Sequence, residues 1–165
     1  YILHTDNFYQ YDNHAPFSAV IASWTVALPL KTERLIVMPS IYGRVLIGNH
    51  VSDVYANVLG GDIIGRYMPQ QLPFVGISNI ELVEKSILAS NCKLRYKIFG
   101  EHYISLSGNI ALTDNKLQDV LGGELIYGIG IGYGFNSKLG PLEATVGYSG
   151  YTDKINCFAN LGFYF

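Results

Sequence analysis

The chain has 165 residues, of which 49% are hydrophobic and 15% are charged, and its formal net charge is -2. This length is enough for one domain with a buried core, and the near balance of charge does not fit a surface that binds nucleic acid. No run of about eighteen apolar residues occurs, which excludes a transmembrane helix. The 18 glycines and 13 tyrosines are instead typical of a transmembrane β-barrel with aromatic girdles.

Alternation of apolar and polar residues predicts eight β-strands, because successive side chains of a strand point to opposite faces of its sheet. The predicted strands cover residues 1–10, 17–29, 34–48, 84–98, 101–113, 123–136, 141–151 and 155–165. The connections after residues 29, 98 and 136 are short, as periplasmic turns are, and the others lie at the opposite end. We therefore predict an all-β fold, an antiparallel transmembrane β-barrel.

The first three predicted strands differ in the clarity of their pattern. The first alternates poorly, whereas the second places Trp24 on one face and Ser23 and Thr25 on the other. The third contains Pro39, which has no N–H to donate to a neighbouring strand. We expect this proline at a bulge or at a sheet edge.

A long connection, residues 49–83, separates the third predicted strand from the fourth. It contains the stretch VLGGDIIGRYMPQQLPFVGI, which glycine and proline interrupt repeatedly. Connections of this length usually have a structure and a role of their own, so we expect an extracellular loop or a loop folded into the barrel lumen. Arg66 beside Tyr67 is then either a lock, in which Arg66 pairs with an inward acid such as Glu143 or Glu124, or a solvated loop arginine.

Three basic residues share one face of the fourth predicted strand, SILASNCKLRYKIF. Lys93, Arg95 and Lys97 lie opposite Leu94 and Tyr96. A charge at the middle of the hydrocarbon layer costs about 2–4 kcal/mol, so these residues are predicted to face the lumen. This basic ladder either selects anions or contacts a translocating segment, or it balances acids on neighbouring strands.

Glycine alternates with large apolar residues in the stretch ELIYGIGIGYGFN, which is the sixth predicted strand. Gly128, Gly130, Gly132 and Gly134 leave one face of this strand without side chains. Such a bare wall suits a larger barrel in which the long connection, or a segment upstream, packs against it. The alternative is an independent eight-stranded barrel, whose lumen is filled by side chains.

The last two predicted strands also have one apolar and one polar face. Glu143 lies inward, opposite Leu142. The final strand ends with Phe163 and Phe165 on its outward face, where we expect the periplasmic aromatic girdle.

No stretch of the sequence predicts catalysis, a cofactor or a metal. The residues GYSG at 147–150 lack the second spacer of a G-x-S-x-G nucleophile elbow and lie at a strand end. The four histidines have no metal-ligand spacing. We interpret Cys92 and Cys157 as small apolar side chains that face outward.

The order of these features resembles a known family. A GG-containing loop with an Arg-aromatic pair, four strands, the stretch SKLGPLEATVGYS and a terminal aromatic residue are similar to the C-terminal barrel of the bacterial surface-antigen superfamily. That superfamily includes outer-membrane assembly factors, two-partner secretion transporters and patatin-like phospholipases with a barrel. The resemblance covers residues 34–165, and QQLPFVGI, LGPL and the final Phe are most similar to the patatin-like branch of Bacteroidetes.

The resemblance implies a barrel of about sixteen strands, so that the missing half comes from upstream in a longer polypeptide or from a second protomer. Tyr1 is not an initiator Met and no signal peptide follows it, which predicts a mature form or a fragment. In this family the last strand ending in Phe resembles the recognition signal for the insertion machinery, which gives Phe163 and Phe165 that role. The family's long loop presents Arg-Gly-aromatic, whereas this chain has Gly65-Arg66-Tyr67.

Three functions are compatible with this reading. The first is an outer-membrane anchor or translocator domain of a larger bacterial protein that carries a patatin-like lipid acyl hydrolase upstream. The second is a pore for assembly or secretion of proteins. The third is an independent eight-stranded barrel with a structural or adhesive role. In each, the expected partners are outer-membrane lipid and the barrel-insertion machinery, and no nucleic acid.

Overall fold

The computed structural model describes residues 2–4, 17–30, 34–48, 51–61, 70–78, 82–114, 120–137 and 140–161. These residues form an all-β fold with two sheets. The larger sheet contains β1 (Ile2–His4), β2 (Phe17–Thr25), β3 (Leu28–Pro29), β4 (Leu35–Ile47), β8 (Ser86–Phe99), β9 (His102–Asp114), β10 (Glu124–Ser137), β11 (Gly140–Ser149) and β12 (Lys154–Leu161). The smaller sheet contains β5 (Asn57–Leu59), β6 (Gln71–Leu72) and β7 (Leu82–Glu84).

The larger sheet is an antiparallel meander. Its eight principal strands follow the order β1-β2-β4-β8-β9-β10-β11-β12, and β3 pairs with β4 beyond the end of β2. Pairing between β9 and β10 is continuous from Thr113 opposite Glu124 to His102 opposite Phe135. Within the described residues β1 and β12 each pair on one side and not with each other, so the sheet is not closed.

The predicted all-β fold and its eight strands are confirmed, because each predicted strand coincides with a principal strand of the sheet. The boundaries agree within a few residues from β2 to β11. Residues 1 and 5–10 of the first predicted strand and residues 162–165 of the last lie outside the described part of the chain. Two short 3-10 turns, Asp53–Tyr55 and Val120–Gly122, complete the described secondary structure.

Pro39 does not lie at a bulge or an edge, so this expectation is wrong. It lies in β4, between the pairs Ser40–Thr25 and Val37–Leu28, and the register is the same on both sides of it. Val26 donates its N–H to the carbonyl of Pro39 at 3.2 Å. The reciprocal bond is missing because proline has no N–H, and the predicted strand 17–29 is therefore divided into β2 and β3.

The two faces of the larger sheet differ sharply, and we call them the outer and the inner face. The outer face exposes large apolar side chains on seven strands, among them Trp24, Ile41, Leu88, Leu106, Ile110, Ile129, Ile131, Val146 and Ile155. The inner face buries small and polar residues, among them Ser105, Ser107, Asn109, Glu143, Thr145 and Ser149. In β9 exposed and buried residues alternate along almost the whole strand, as a strand with one face covered requires.

The core lies between the inner face and the long connection. We call residues 51–61 and 70–78 of that connection the inner segment. Leu59, Phe74 and Ile77 of this segment are fully buried against the sheet residues Tyr42, Ile87, Ala89, Ala111 and Ile126. The apolar core is thus formed by the connection and one face of the sheet. In the part of the chain that the structure describes, no helix is long and apolar enough to cross a membrane.

Candidate functional site

The inner face carries a row of glycines, which we call the glycine wall: Gly128, Gly130, Gly132 and Gly134 of β10 and Gly147 of β11. The inner segment lies directly on part of this wall. An added Cβ at Gly128 would lie 2.2 Å from the carbonyl oxygen of Val75, and one at Gly130 or at Gly147 would lie 2.4 Å from Cγ1 of Val75. Contacts below 3.0 Å are sterically excluded, so these three positions have room for hydrogen but not for a methyl group. Glycine here allows another backbone to approach the sheet closely.

Gly76 makes the matching contact from the inner segment. Its φ is +83°, a conformation that residues with a Cβ rarely adopt. An added Cβ would also lie 2.3 Å from the carbonyl carbon of Tyr148 and 2.5 Å from the nitrogen of Ser149. Glycine is therefore required on both sides of this contact.

Polar side chains just after β11 and in β12 hold Gly76 in this position. The carbonyl oxygen of Gly76 accepts hydrogen bonds from Nδ2 of Asn156 at 2.8 Å and from Oγ1 of Thr152 at 3.2 Å. The hydroxyl of Ser78 donates to Oδ1 of Asn156 at 3.1 Å. Asn156 thus bridges two residues of the inner segment and connects it to β12, the last described strand.

Arg44 of β4 holds the other end of the inner segment. Its Nη1 donates to the carbonyl of Tyr55 at 2.9 Å and to Oδ1 of Asn57 at 3.0 Å. The amide of Asn57 donates back to the carbonyl of Arg44 at 3.3 Å. Because Arg44 and Asn57 are both buried, these hydrogen bonds satisfy polar groups that would otherwise be costly to bury.

A buried carboxylate forms the charged centre of the inner face. Glu143 of β11 accepts a hydrogen bond from Lys93 of β8 and one from Ser105 of β9 at 3.3 Å. Nη2 of Arg95 lies 3.7 Å from Oε2 of Glu143. Lys93 and Arg95 reach Glu143 across two intervening strands, because Ser105, Ser107 and the glycines of β10 leave that path free of large side chains.

An aromatic ring supports Arg95 beside this carboxylate. The ring of Tyr103 lies on Gly134, where an added Cβ would come within 2.0 Å of Cε2. The guanidinium carbon of Arg95 lies 4.4 Å from the ring centroid, within the range of a cation–π contact. We refer to Lys93, Arg95, Tyr103, Ser105 and Glu143 as the Glu143 cluster.

Lys97, the third member of the predicted basic ladder, has a different partner. Its Nζ lies 3.2 Å from Oε1 of Glu101 in the β8–β9 turn. Nδ2 of Asn136 donates to Oε2 of Glu101 at 3.3 Å. The hydrogen bond from Asn136, followed by that from Lys97, holds the pKa of Glu101 below its usual value.

The structure brings together some of the predicted site residues. Lys93 and Arg95 meet Glu143, while Lys97 lies apart at the turn. The other predicted site residues, Arg66, Tyr67, Phe163 and Phe165, lie outside the described residues. The residues that hold the inner segment, Arg44 and Asn156, were not predicted. The signal that could have found them is the parity of their positions in β4 and β12, which puts polar side chains opposite the apolar face.

The chemistry of this site is that of holding a polypeptide segment. Ser149, from the GYSG stretch, donates to the carbonyl of Tyr127 at 3.0 Å and accepts from the amide of Tyr151 at 3.2 Å, which are structural bonds at a strand end. Within the described residues no cluster of three or more His, Cys, Asp or Glu side chains is placed to bind a metal.

Comparison with known proteins adds one finding. A family model described as the OMP85 superfamily matches residues 1–165. The matched range contains all eight principal strands and the inner segment. A search of curated proteins found no match.

Proposed function

Because the chain belongs to the OMP85 superfamily, we propose that it forms the wall of a bacterial outer-membrane barrel and anchors or translocates a polypeptide in assembly or secretion. The superfamily resemblance seen in the sequence is thereby confirmed, and it implies an outer-membrane location. In this proposal the outer face contacts lipid and the inner segment occupies the lumen beside the glycine wall.

One observation carries this proposal. A row of directly paired residues on the outer face consists of Leu94, Leu106, Ile131, Val146 and Cys157, which are all apolar. The next row, one residue along each strand, consists of Lys93, Ser107, Gly130, Gly147 and Asn156 on the inner face. A water-soluble sheet would bury the first row and expose the second, whereas a membrane barrel requires lipid on the first and protein or water on the second.

Trp24 provides a direct test, because it is the one tryptophan of the chain and exposes 54% of its surface on the outer face. We expect lipids that are brominated on their acyl chains to quench its fluorescence strongly in the full-length protein reconstituted in bilayers. Acrylamide in the aqueous phase should have little effect. The fluorescence of Trp24 itself is obtained by subtracting the fluorescence of the Trp24→Phe variant from that of the natural protein.

A relocated tryptophan serves as the matched control. In the Trp24→Phe background, Val54→Trp places the reporter on an exposed 3-10 turn of the inner segment, and there acrylamide should quench and brominated lipid should not. If Trp24 responds like the residue-54 reporter, the outer face is not in contact with lipid.

We propose that further strands complete the barrel. The described sheet leaves one side of β1 and one side of β12 without a partner among the described residues, and β10 leaves too little side-chain volume to fill a small barrel. Both observations favour a barrel of about sixteen strands over an independent eight-stranded barrel. The additional strands come from an upstream part of the same polypeptide or from a second protomer.

The inner segment favours an anchor or a gated translocator over a permanently open pore. Its fully buried residues Leu59, Phe74 and Ile77 and its hydrogen bonds with Arg44 and Asn156 fix it against the glycine wall.

A patatin-like parent protein remains a prediction from QQLPFVGI, LGPL and the final Phe, because the family match is to the superfamily and singles out no branch. Such a parent would carry its catalytic residues outside this chain.

We also propose that Phe163 and Phe165 form the signal for the insertion machinery. Deleting Phe165 removes one interfacial ring, which is worth about 1.5–3 kcal/mol of burial at most, too little to unfold a hydrogen-bonded barrel. We therefore expect a several-fold lower amount of protein in the membrane, measured by quantitative immunoblotting of outer-membrane fractions. The purified variant should still refold in detergent with nearly normal heat resistance. A parallel loss of heat resistance would show that Phe165 is structural and not a signal.

A further inference from the structure

A recess of about 160 Å³ opens on the inner face at the β8–β9 turn. Its polar lining comes from the start of β4 and from β8, β9, β10 and the turn itself. The lining includes Arg34, Arg95, Lys97, Glu101, Tyr103 and Asn136. Three of these six side chains are cationic and one is a carboxylate.

The recess has more positive than negative side chains in the part of the chain that the structure describes. Lys97 pairs with Glu101, and Lys93 beside the recess pairs with Glu143. Arg95 has no acid of its own, because its Nη2 lies 3.7 Å from Oε2 of the same Glu143 that pairs with Lys93. Arg34 makes no ion pair within the described part of the chain. Among the described residues four cations thus meet two carboxylates, and a positive excess remains at Arg34 and Arg95.

The guanidinium of Arg95 is held in a fixed orientation. Its guanidinium stacks on Tyr103, whose ring rests on Gly134. Its Nε is buried and has no hydrogen-bond partner among the described residues. A planar guanidinium that is already oriented loses little conformational entropy when an anion binds to it in two-point fashion.

We infer that this recess binds the carboxylate of an acidic polypeptide segment, with Arg95 and Arg34 as the residues that recognise it. A carboxylate has two oxygens in one plane, which match the planar fork of donors that a guanidinium presents. A lipid headgroup fits less well, because its acyl chains would have to lie on the polar inner face instead of the apolar outer one. That the segment arrives from the periplasm rests on the proposed function, in which the β8–β9 turn is periplasmic.

Calorimetric titration of the full-length protein in a neutral detergent tests this inference. The probe is a short peptide with two glutamates, compared with the same peptide carrying glutamines and with inorganic phosphate, all at low ionic strength because salt screens such contacts. We expect the glutamate peptide to bind and the glutamine peptide not to bind. Arg95→Gln should lower the affinity about tenfold and Arg34→Gln about threefold.

Two further variants make the result specific. Arg95→Lys should recover part of the affinity, because it keeps the charge but not the fork. Lys154→Gln, at the start of β12 and away from the recess, removes one positive charge and should leave binding unchanged. If the Lys154 and Arg34 variants lose equal affinity for the glutamate peptide, general charge attraction explains the binding. If inorganic phosphate binds as tightly as the glutamate peptide, the ligand is not a polypeptide. Either result overturns the inference, as does the absence of binding.

Failure of this inference and failure of the proposed function can be distinguished. Peptide binding in detergent does not depend on which face contacts lipid, whereas quenching of Trp24 does. A protein whose Trp24 is quenched by brominated lipid but which binds no acidic peptide is a membrane barrel without this site.

Discussion

Replacing Gly128 with alanine should release the inner segment from the sheet. The new methyl group would lie 2.2 Å from the carbonyl oxygen of Val75. Because the backbone fixes the position of a Cβ and the carbonyl is itself backbone, no side-chain rotation relieves the contact. Overpacking of this kind costs about 1–3 kcal/mol, which corresponds to a rise of about fivefold to about 150-fold in local opening. The amides of Gly61 and Phe74, which donate to Ile77 and Gly61 at 2.8 Å, should exchange with deuterium correspondingly faster.

Gly108→Ala is the matched control for this experiment. Gly108 lies on the exposed outer side of β9, and an added Cβ would have nothing within 4 Å. The same chemical change should therefore leave exchange at Gly61 and Phe74 as in the natural protein. Unchanged exchange in the Gly128 variant would mean that the inner segment does not rest on the glycine wall.

The second large effect is expected at Glu143. Glu143→Gln keeps the shape of the side chain but removes the charge that balances Lys93 and Arg95. Removing one partner of a buried ion pair leaves an uncompensated charge. Since Lys93 and Arg95 keep partial contact with solvent, we expect the free energy of unfolding to fall by about 2–4 kcal/mol, measured by urea unfolding of the folded barrel.

Two controls separate charge balance from packing. Glu101→Gln, which breaks the exposed pair with Lys97, should change stability little. Adding Lys93→Met to Glu143→Gln should recover part of the loss, because it removes the unbalanced cation. If Glu143→Gln is as harmless as Glu101→Gln, the Glu143 cluster does not contribute to stability.

The same variant tests the predicted lock. If Arg66 also contacts Glu143, the effects of Arg66→Gln and Glu143→Gln on unfolding should be non-additive, as expected for residues that share one network. Additive effects would mean that Lys93 and Arg95 are the partners that balance this carboxylate and that Arg66 acts elsewhere.

The strands and their two faces were predictable because lipid imposes a strict rule. Every second residue of a spanning strand must be apolar, so rows such as Leu106, Ile131 and Val146 are visible in the sequence as strict alternation. The division at Pro39 was not predictable, because it depends on which neighbour the proline nitrogen faces. That neighbour is set by the register between β2 and β4.

The candidate site was predictable only in part, because its contacts join residues that are far apart in the chain. Alternation placed Lys93, Arg95 and Glu143 on one face, but their meeting depends on the register across four strands. The bare glycine wall indicated that something must cover it. That Val75 and Gly76 are the covering residues depends on how the long connection folds, for which no local pattern exists.

The claim that the sheet has a lipid face and a protein-covered face is tested most directly by two spin labels one residue apart in β8. Native Cys92 lies on the outer face; it is labelled in a Cys157→Ser background. Asn91→Cys, with both native cysteines replaced by serine, places the label on the inner face beside Asn109 and Phe74. Both are measured in the full-length protein in bilayers by collision with oxygen, which concentrates in lipid, and with a water-soluble nickel chelate.

We expect a much higher ratio of oxygen to nickel accessibility at residue 92 than at residue 91. The two positions have nearly the same depth along one strand, so depth alone cannot produce this difference. Equal ratios at the two positions, or a higher ratio at residue 91, would contradict the assignment of lipid to the outer face.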